Sequence, residues 1–154
     1  MERLNGWLIM TQIFNSELEV NLRVLSILFI VQSSVSIDYI TTMDLFTTYG
    51  KNYGFTQENL HGDSSYNFSE IASRRTLINR SIRSLVTKGL VNAEESSNGF
   101  HYSINEDGRI ICNVLDSDYH RKYSETVKTI VQKTHSLSDA QLVNYATKRS
   151  INKE

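Results

Sequence analysis

From Leu22 to Val31 apolar residues occupy almost every position: Leu22, Val24, Leu25, Ile27, Leu28, Phe29, Ile30 and Val31. At 100° per residue they cover nearly the whole circumference of a helix, and a helix apolar all round is enclosed by its own domain or by a partner. Ser16 and Glu19 stand ahead of the run in the S-x-x-E spacing of a capping box, which predicts a helix from Ser16 to about Val31. Arg23 and Ser26 interrupt the run and leave it too short to cross a bilayer. Beyond a polar break at 33–36, Ile37, Ile40, Met43 and Phe46 mark one face of a second helix ending near Gly50. Upstream, Trp7 to Phe14 mix apolar and polar positions weakly, as a short strand or an ordered arm does.

Residues 51–67 have no clear periodicity, and a loop of that length in a small domain is functional or mobile as a rule. Periodicity returns at Ser69, a candidate cap, with Ile71, Ile78, Ile82 and Leu85 as the apolar stripe of a third helix. Gly89 is placed to end it in the left-handed conformation. Strand character follows over Leu90–Glu95 and Phe100–Ile104, joined through Ser96-Ser97-Asn98-Gly99, where Asn-Gly predicts a type I′ turn. Asn105 is placed to cap a fourth helix carrying Ile110, Ile111, Val114 and Leu115. After a break at Asp116 to Asp118, a fifth carries Tyr119, Tyr123, Val127, Ile130 and Val131. Ser138 with Gln141 repeats the capping-box spacing for a last helix from Asp139 to about Ser150, and the polar tail from Lys148 is expected to fray.

These elements predict a mainly helical fold with a small β-hairpin wing: a winged-helix domain with additional C-terminal helices. The expected organisation is a single domain over residues 1–154, with a winged-helix core at 14–104 that includes the loop 51–67, and C-terminal helices at 105–150. A chain of 154 residues buries one respectable core. Its 16 basic and 17 acidic residues leave a formal charge of −1, so any contact with nucleic acid comes from local clustering rather than net charge. The lone cysteine, Cys112, rules out an internal disulfide and reads as a buried thiol in a reducing compartment. The first ten residues lack the apolar core and cleavage site of a signal peptide. A soluble cytoplasmic protein with no membrane contact is the expectation.

Catalytic signatures are silent. The chain has no G-x-x-x-x-G-K-[ST], no H-E-x-x-H, no G-x-S-x-G and no paired-cysteine spacing. Asp116 and His120 share a helical face at i, i+4 but lack a third ligand, and His61 and Asp63 read as turn chemistry in the long loop. No catalytic residue, metal site or cofactor is assigned. The one constellation of weight is the third helix, where Arg74, Arg75, Arg80, Arg83 and Lys88 gather with no acid between Glu70 and Glu94. On a helical wheel Arg80 and Arg83 oppose the apolar stripe, while Arg74 and Arg75 flank its start. Charge alone leaves two uses open, contact with DNA and pairing with carboxylates. The wing, with Glu94 and Glu95 and no Lys or Arg, is a poor phosphate clamp.

The order of short motifs resembles the middle component, type 2, of the bacterial ABC-three-component systems, the group that includes the small subunit of Lamassu-type defence complexes. The resemblance runs from Phe14-Asn15-Ser16 through Leu18-Glu19, Leu22-Arg23 and Asp44, then Leu60-His61, Glu70, Arg74-Arg75, Leu85-Val86 and Lys88-Gly89-Leu90-Val91. Tyr102, the Tyr119 helix and Leu137-Ser138-Asp139 complete it. It implies a non-catalytic accessory subunit that binds a large SMC-like ABC ATPase and links it to an effector nuclease, with DNA reached through the assembled complex in defence against phage or plasmid. Arg74, Arg75, Arg80, Arg83 and Lys88 are the expected partner or DNA-backbone contacts. The alternative is a free-standing winged-helix transcription regulator.

Overall fold

The computed structural model describes residues 16–62 and 68–151. The predicted arm at Trp7–Phe14 and Asp63 lie outside the described residues. The chain has no proline, and short polar side chains set its helix starts instead. Ser16 Oγ accepts from the Glu19 N–H (3.2 Å) at the head of α1, Glu17–Val31, and Ser36 Oγ accepts from the Tyr39 N–H (3.1 Å) at the head of α2, Ile37–Thr48. Each satisfies one of the orphan N–H groups of a helix N-terminus. The third helix, α3, spans Phe68–Thr87. It ends in a Schellman arrangement, with Gly89 at φ +74°, its N–H donating to Val86 O (3.0 Å), and Leu90 N–H donating to Leu85 O (3.0 Å).

The hairpin follows as β1, Val91–Ser96, and β2, Gly99–Ile104, antiparallel with Val91 opposite Ile104 and Ser96 opposite Gly99. Its turn differs from the predicted type I′. Among the described residues Gln32 alone of the non-glycines has positive φ, so Ser97 and Asn98 do not adopt the mirror-image turn, and the left-handed position is Gly99 at φ +98°. A tight two-residue turn, with Gly99 in the left-handed region at its end, brings the strands together in unbroken register. Val35, in the expected polar break, exchanges both backbone hydrogen bonds with Tyr102 (2.9 and 2.8 Å) and adds a one-residue third strand. Three helices complete the chain: α4, Glu106–Val114; α5, Asp118–Thr134; and α6, Asp139–Ile151. Asn105 and Ser117 cap the first two, and Ser138 with Gln141 forms a reciprocal box on the third (2.8 and 3.2 Å).

The molecule is thus mainly helical with a two-stranded wing and extra C-terminal helices, a winged-helix-like fold. Helix α1 packs against α2, α3, α4, α5 and β2, so Val24, Leu25, Ile27 and Leu28 are enclosed by the chain itself, while Leu22 and Phe29 to Val31 are partly buried. Helix α2 departs from the one-sided pattern expected of it: every residue from Ile40 to Thr48 is buried. Three of its four threonines tolerate this by bonding back along the helix, Thr42, Thr47 and Thr48 hydroxyls donating to the carbonyls of Asp38, Met43 and Asp44 (2.7, 2.7 and 2.8 Å), while the buried Thr41 hydroxyl makes no hydrogen bond among the described residues. The start of the long loop folds over the end of α2. Phe46 meets Tyr53 and Phe55 at ring distances of 4.9 Å each, and the Tyr145 hydroxyl of α6 donates to Tyr53 O (2.6 Å).

Candidate functional site

The densest polar chemistry is inside the protein, where α1, α2, α3 and α5 converge on Asp44. Arg23 and Asp44 have no exposed side-chain surface and Arg74 has 2 %. Charged residues are buried so completely only when paired. Asp44 Oδ1 accepts from Arg23 Nε (2.9 Å) and from the Tyr123 hydroxyl (2.6 Å), while Oδ2 accepts from Arg23 Nη2 (3.2 Å) and Arg74 Nη1 (2.8 Å). Arg74 Nη1 also lies 3.4 Å from Thr48 Oγ1, and its guanidinium stacks 5.6 Å over the Tyr49 ring. Both carboxylate oxygens are therefore doubly satisfied, and one anion is shared by two cations.

The network continues outward through aromatics. Arg23 hydrogen-bonds the Tyr119 side chain, and the Tyr119 hydroxyl lies 2.6 Å from His61 Nε2, with the two rings stacked at 5.9 Å. Burial would raise the Asp44 pKa, but the Arg23 and Arg74 guanidiniums override it and hold the carboxyl well below the usual range. Burial, reinforced by the Arg23 charge, pushes the His61 imidazole down to about 3, so it is neutral. Burial raises the Tyr119 and Tyr123 phenols, Asp44 adding to the effect. With imidazole neutral and phenol protonated, His61 Nε2 and the Tyr119 hydroxyl share one neutral hydrogen bond.

The five basic residues expected as contacts separate into an inward and an outward set. Arg74 belongs to the inward set. It lies on the Asp44 side of α3 and is bound there, so it is not on the outer face where a partner or DNA would reach it. Arg75, Arg80, Arg83 and Lys88 are exposed. Arg75 pairs with Asp38 of α2 (3.1 Å) and Lys88 lies 4.0 Å from Glu17 of α1. Arg80 and Arg83 project from the face opposite Ile78 and Ile82, which are buried in the core.

Reading the residues for chemistry alone missed Arg23, Asp44, Tyr119 and Tyr123. The signal for Arg23 was present: a charged residue in a helix apolar all round has nowhere to go except to a buried counter-charge. Its partner was hidden because Asp44 lies among threonines that read as a solvated face. Of the pair weighed as metal ligands, Asp116 pairs with Arg121 (3.1 Å) and His120 is buried. Among the described residues no group of three His, Cys, Asp or Glu is placed to hold a metal ion, and no helix is long and apolar enough to cross a membrane. Cys112 is a half-buried free thiol whose pKa burial pushes up to about 11.

Fold and interior together define a class: a small winged-helix-like domain whose chemistry-bearing side chains serve its interior and whose cations face out along one helix. Residues 13–153 match the family described as ABC-three component (ABC-3C) system Middle Component 2, and the chain belongs to that family. No curated protein and no solved structure matches it. Arg23, Asp44, His61, Arg74 and Tyr119, which stand in the motifs that carried the resemblance, are the residues joined in the buried network.

Proposed function

We propose that this protein is a non-catalytic accessory subunit of an ABC-3C assembly, one that binds a large SMC-like ABC ATPase and couples it to an effector nuclease in prokaryotic defence against phage or plasmid DNA. Family membership supports a component that works with partner subunits. The observation that carries the non-catalytic reading is the state of the interior groups: Asp44, His61, Tyr119 and Tyr123 are the best-connected titratable side chains, and each is occupied by a hydrogen bond or an ion pair within the fold. A catalytic site needs such groups facing a reacting atom. The outward cations of α3, namely Arg75, Arg80, Arg83 and Lys88, are then the contacts with a partner or with the DNA backbone inside the assembly.

Co-expression with the large ABC ATPase of such an assembly tests this reading. A stable co-purifying complex at moderate salt is the expected result. Failure to co-purify, together with a sequence-specific shift of operator DNA by the isolated protein, overturns the reading in favour of a free-standing transcription regulator.

A further inference from the structure

The outer face of α3 narrows the kind of partner. Thr76, Asn79, Arg80 and Arg83, spaced i, i+3, i+4 and i+7, line a shallow hollow of about 290 Å³. Arg75 and Lys88, at its flanks, already have carboxylate neighbours in Asp38 and Glu17. Arg80 and Arg83 form no ion pair among the described residues, so they are the cations left for a ligand. Thr76 and Asn79, one turn N-terminal to them, are short, which lets another chain approach the helix backbone there within reach of the two guanidinium forks.

Along the chain the charge changes sign after α3. From Gly89 to Gly108 there is no Lys or Arg, and Glu94 and Glu95 are exposed on β1. A duplex is a uniform polyanion, and proteins that grip it neutralise many phosphates, about 6–10 in strongly salt-dependent cases. Two available arginines beside an acidic wing do not make such a grip, because whatever α3 attracts the wing repels. A protein surface of mixed sign satisfies both, and Arg pairs with carboxylates fork to fork.

We propose that the α3 hollow receives the carboxylates of an acidic segment of a protein partner, with Arg80 and Arg83 as its two anchors and the wing acids facing basic residues of the same partner. The proposal rests on the accessory-subunit reading and takes the ABC ATPase as the partner. The test uses the full chain co-expressed with that ATPase. Arg80→Lys and Arg83→Lys variants place a primary amine where each guanidinium stood, and a carbodiimide then joins amines to touching carboxylates with no spacer. The expected result is a cross-link from position 80 or 83 to an Asp or Glu of the ATPase. Arg80→Glu with Arg83→Glu is expected to weaken retention roughly 30-fold or more.

Retention unchanged by the double reversal, with no cross-link at either position, overturns the proposal while leaving the accessory-subunit reading intact. DNA binding by the isolated full chain that is steeply salt-dependent and lost in the double reversal also overturns it, since the hollow is then a phosphate site. If the parent chain itself fails to co-purify with the ATPase, the accessory-subunit reading falls first and this proposal falls with it.

Discussion

Replacing Asp44 by asparagine is the sharpest perturbation of the interior network. The side chain keeps its size but loses its charge and one of its two acceptor oxygens. Arg23 and Arg74 are then two guanidiniums, 0 % and 2 % exposed, with no counter-charge at Asp44. The new amide N–H₂ also replaces an oxygen that accepted two of the Arg23, Arg74 and Tyr123 bonds, and at least one guanidinium N–H then faces a donor. Removing one member of a buried ion pair costs about 3–5 kcal/mol, and because Asp44 is shared by two cations the upper end of that range applies. Domains of this size are stable by about 5–15 kcal/mol, so the variant retains a small remainder. With a urea dependence of about 2 kcal/mol per molar, the unfolding midpoint followed by far-UV circular dichroism at pH 7 falls by roughly 2 M. A companion variant, Arg23→Met with Asp44→Leu and Arg74→Met, removes all three charges and is expected to recover most of the loss, because apolar replacement of a whole buried ionic group is near neutral. An Asp44→Asn midpoint within about 0.5 M of the parent refutes the argument, since the pairing would then contribute nothing the amide cannot replace.

Acidification probes the same network through His61, whose pKa falls from an ordinary 6.5 to about 3 on folding. The unfolded chain binds that proton first, so this stability is whole above pH 6.5 and is lost as pH falls toward 3. The slope approaches about 1.4 kcal/mol per pH unit below pH 6, and urea titrations from pH 7 to 4.5 should lose it in His61→Gln. Gly108 is packed against backbone, and a Cβ there sits 2.5 Å from Leu90 O and 2.6 Å from Ile104 Cγ1. Gly108→Ala should therefore lower stability by roughly 1–3 kcal/mol, read as a drop in Tm. Ile82→Ala, at a core position 1 % exposed, should cost about 2–5 kcal/mol. Arg80→Glu with Arg83→Glu should stay within about 0.5 kcal/mol of the parent; a double reversal that unfolds the protein would mean these side chains do not point away from the core.

Local signals were readable wherever one residue type does one job. Ser16, Asn105 and Ser138 read as caps because their side chains replace missing helical partners, and Gly89 read as a stop because its φ is positive. The apolar stripe of α3 was legible from its period. The hairpin was also legible, though not its turn, because Asn-Gly fits two turn types and the difference lies in which residue takes positive φ. Two things depended on the tertiary arrangement. Helix α2 is surrounded on all sides although half its residues are polar, since Thr42, Thr47 and Thr48 bond to their own helix and carry no outstanding donor into the interior. Arg74 sits beside Arg75 in sequence, yet a 100° step turns one toward Asp44 and the other toward solvent. Clustered charge in a sequence does not reveal which members of the cluster meet their counter-ions inside.

That division gives α3 its mechanical character. Its inward side is fixed at Arg74 to the carboxylate that also holds Arg23 of α1 and Tyr123 of α5, so three helices are registered against one point of a fourth. Ser81 adds a second tie, donating to Asn21 Oδ1 of α1 at 2.6 Å. Directional bonds of this kind specify a single packing where an apolar contact of the same area would tolerate sliding by a fraction of a turn. A slide of one residue along α3 would turn Arg80 and Arg83 through 100° and take both out of the hollow they share with Thr76 and Asn79. The buried arginines therefore fix where the exposed ones stand, so on the proposed reading Arg80 and Arg83 are already placed before any partner arrives.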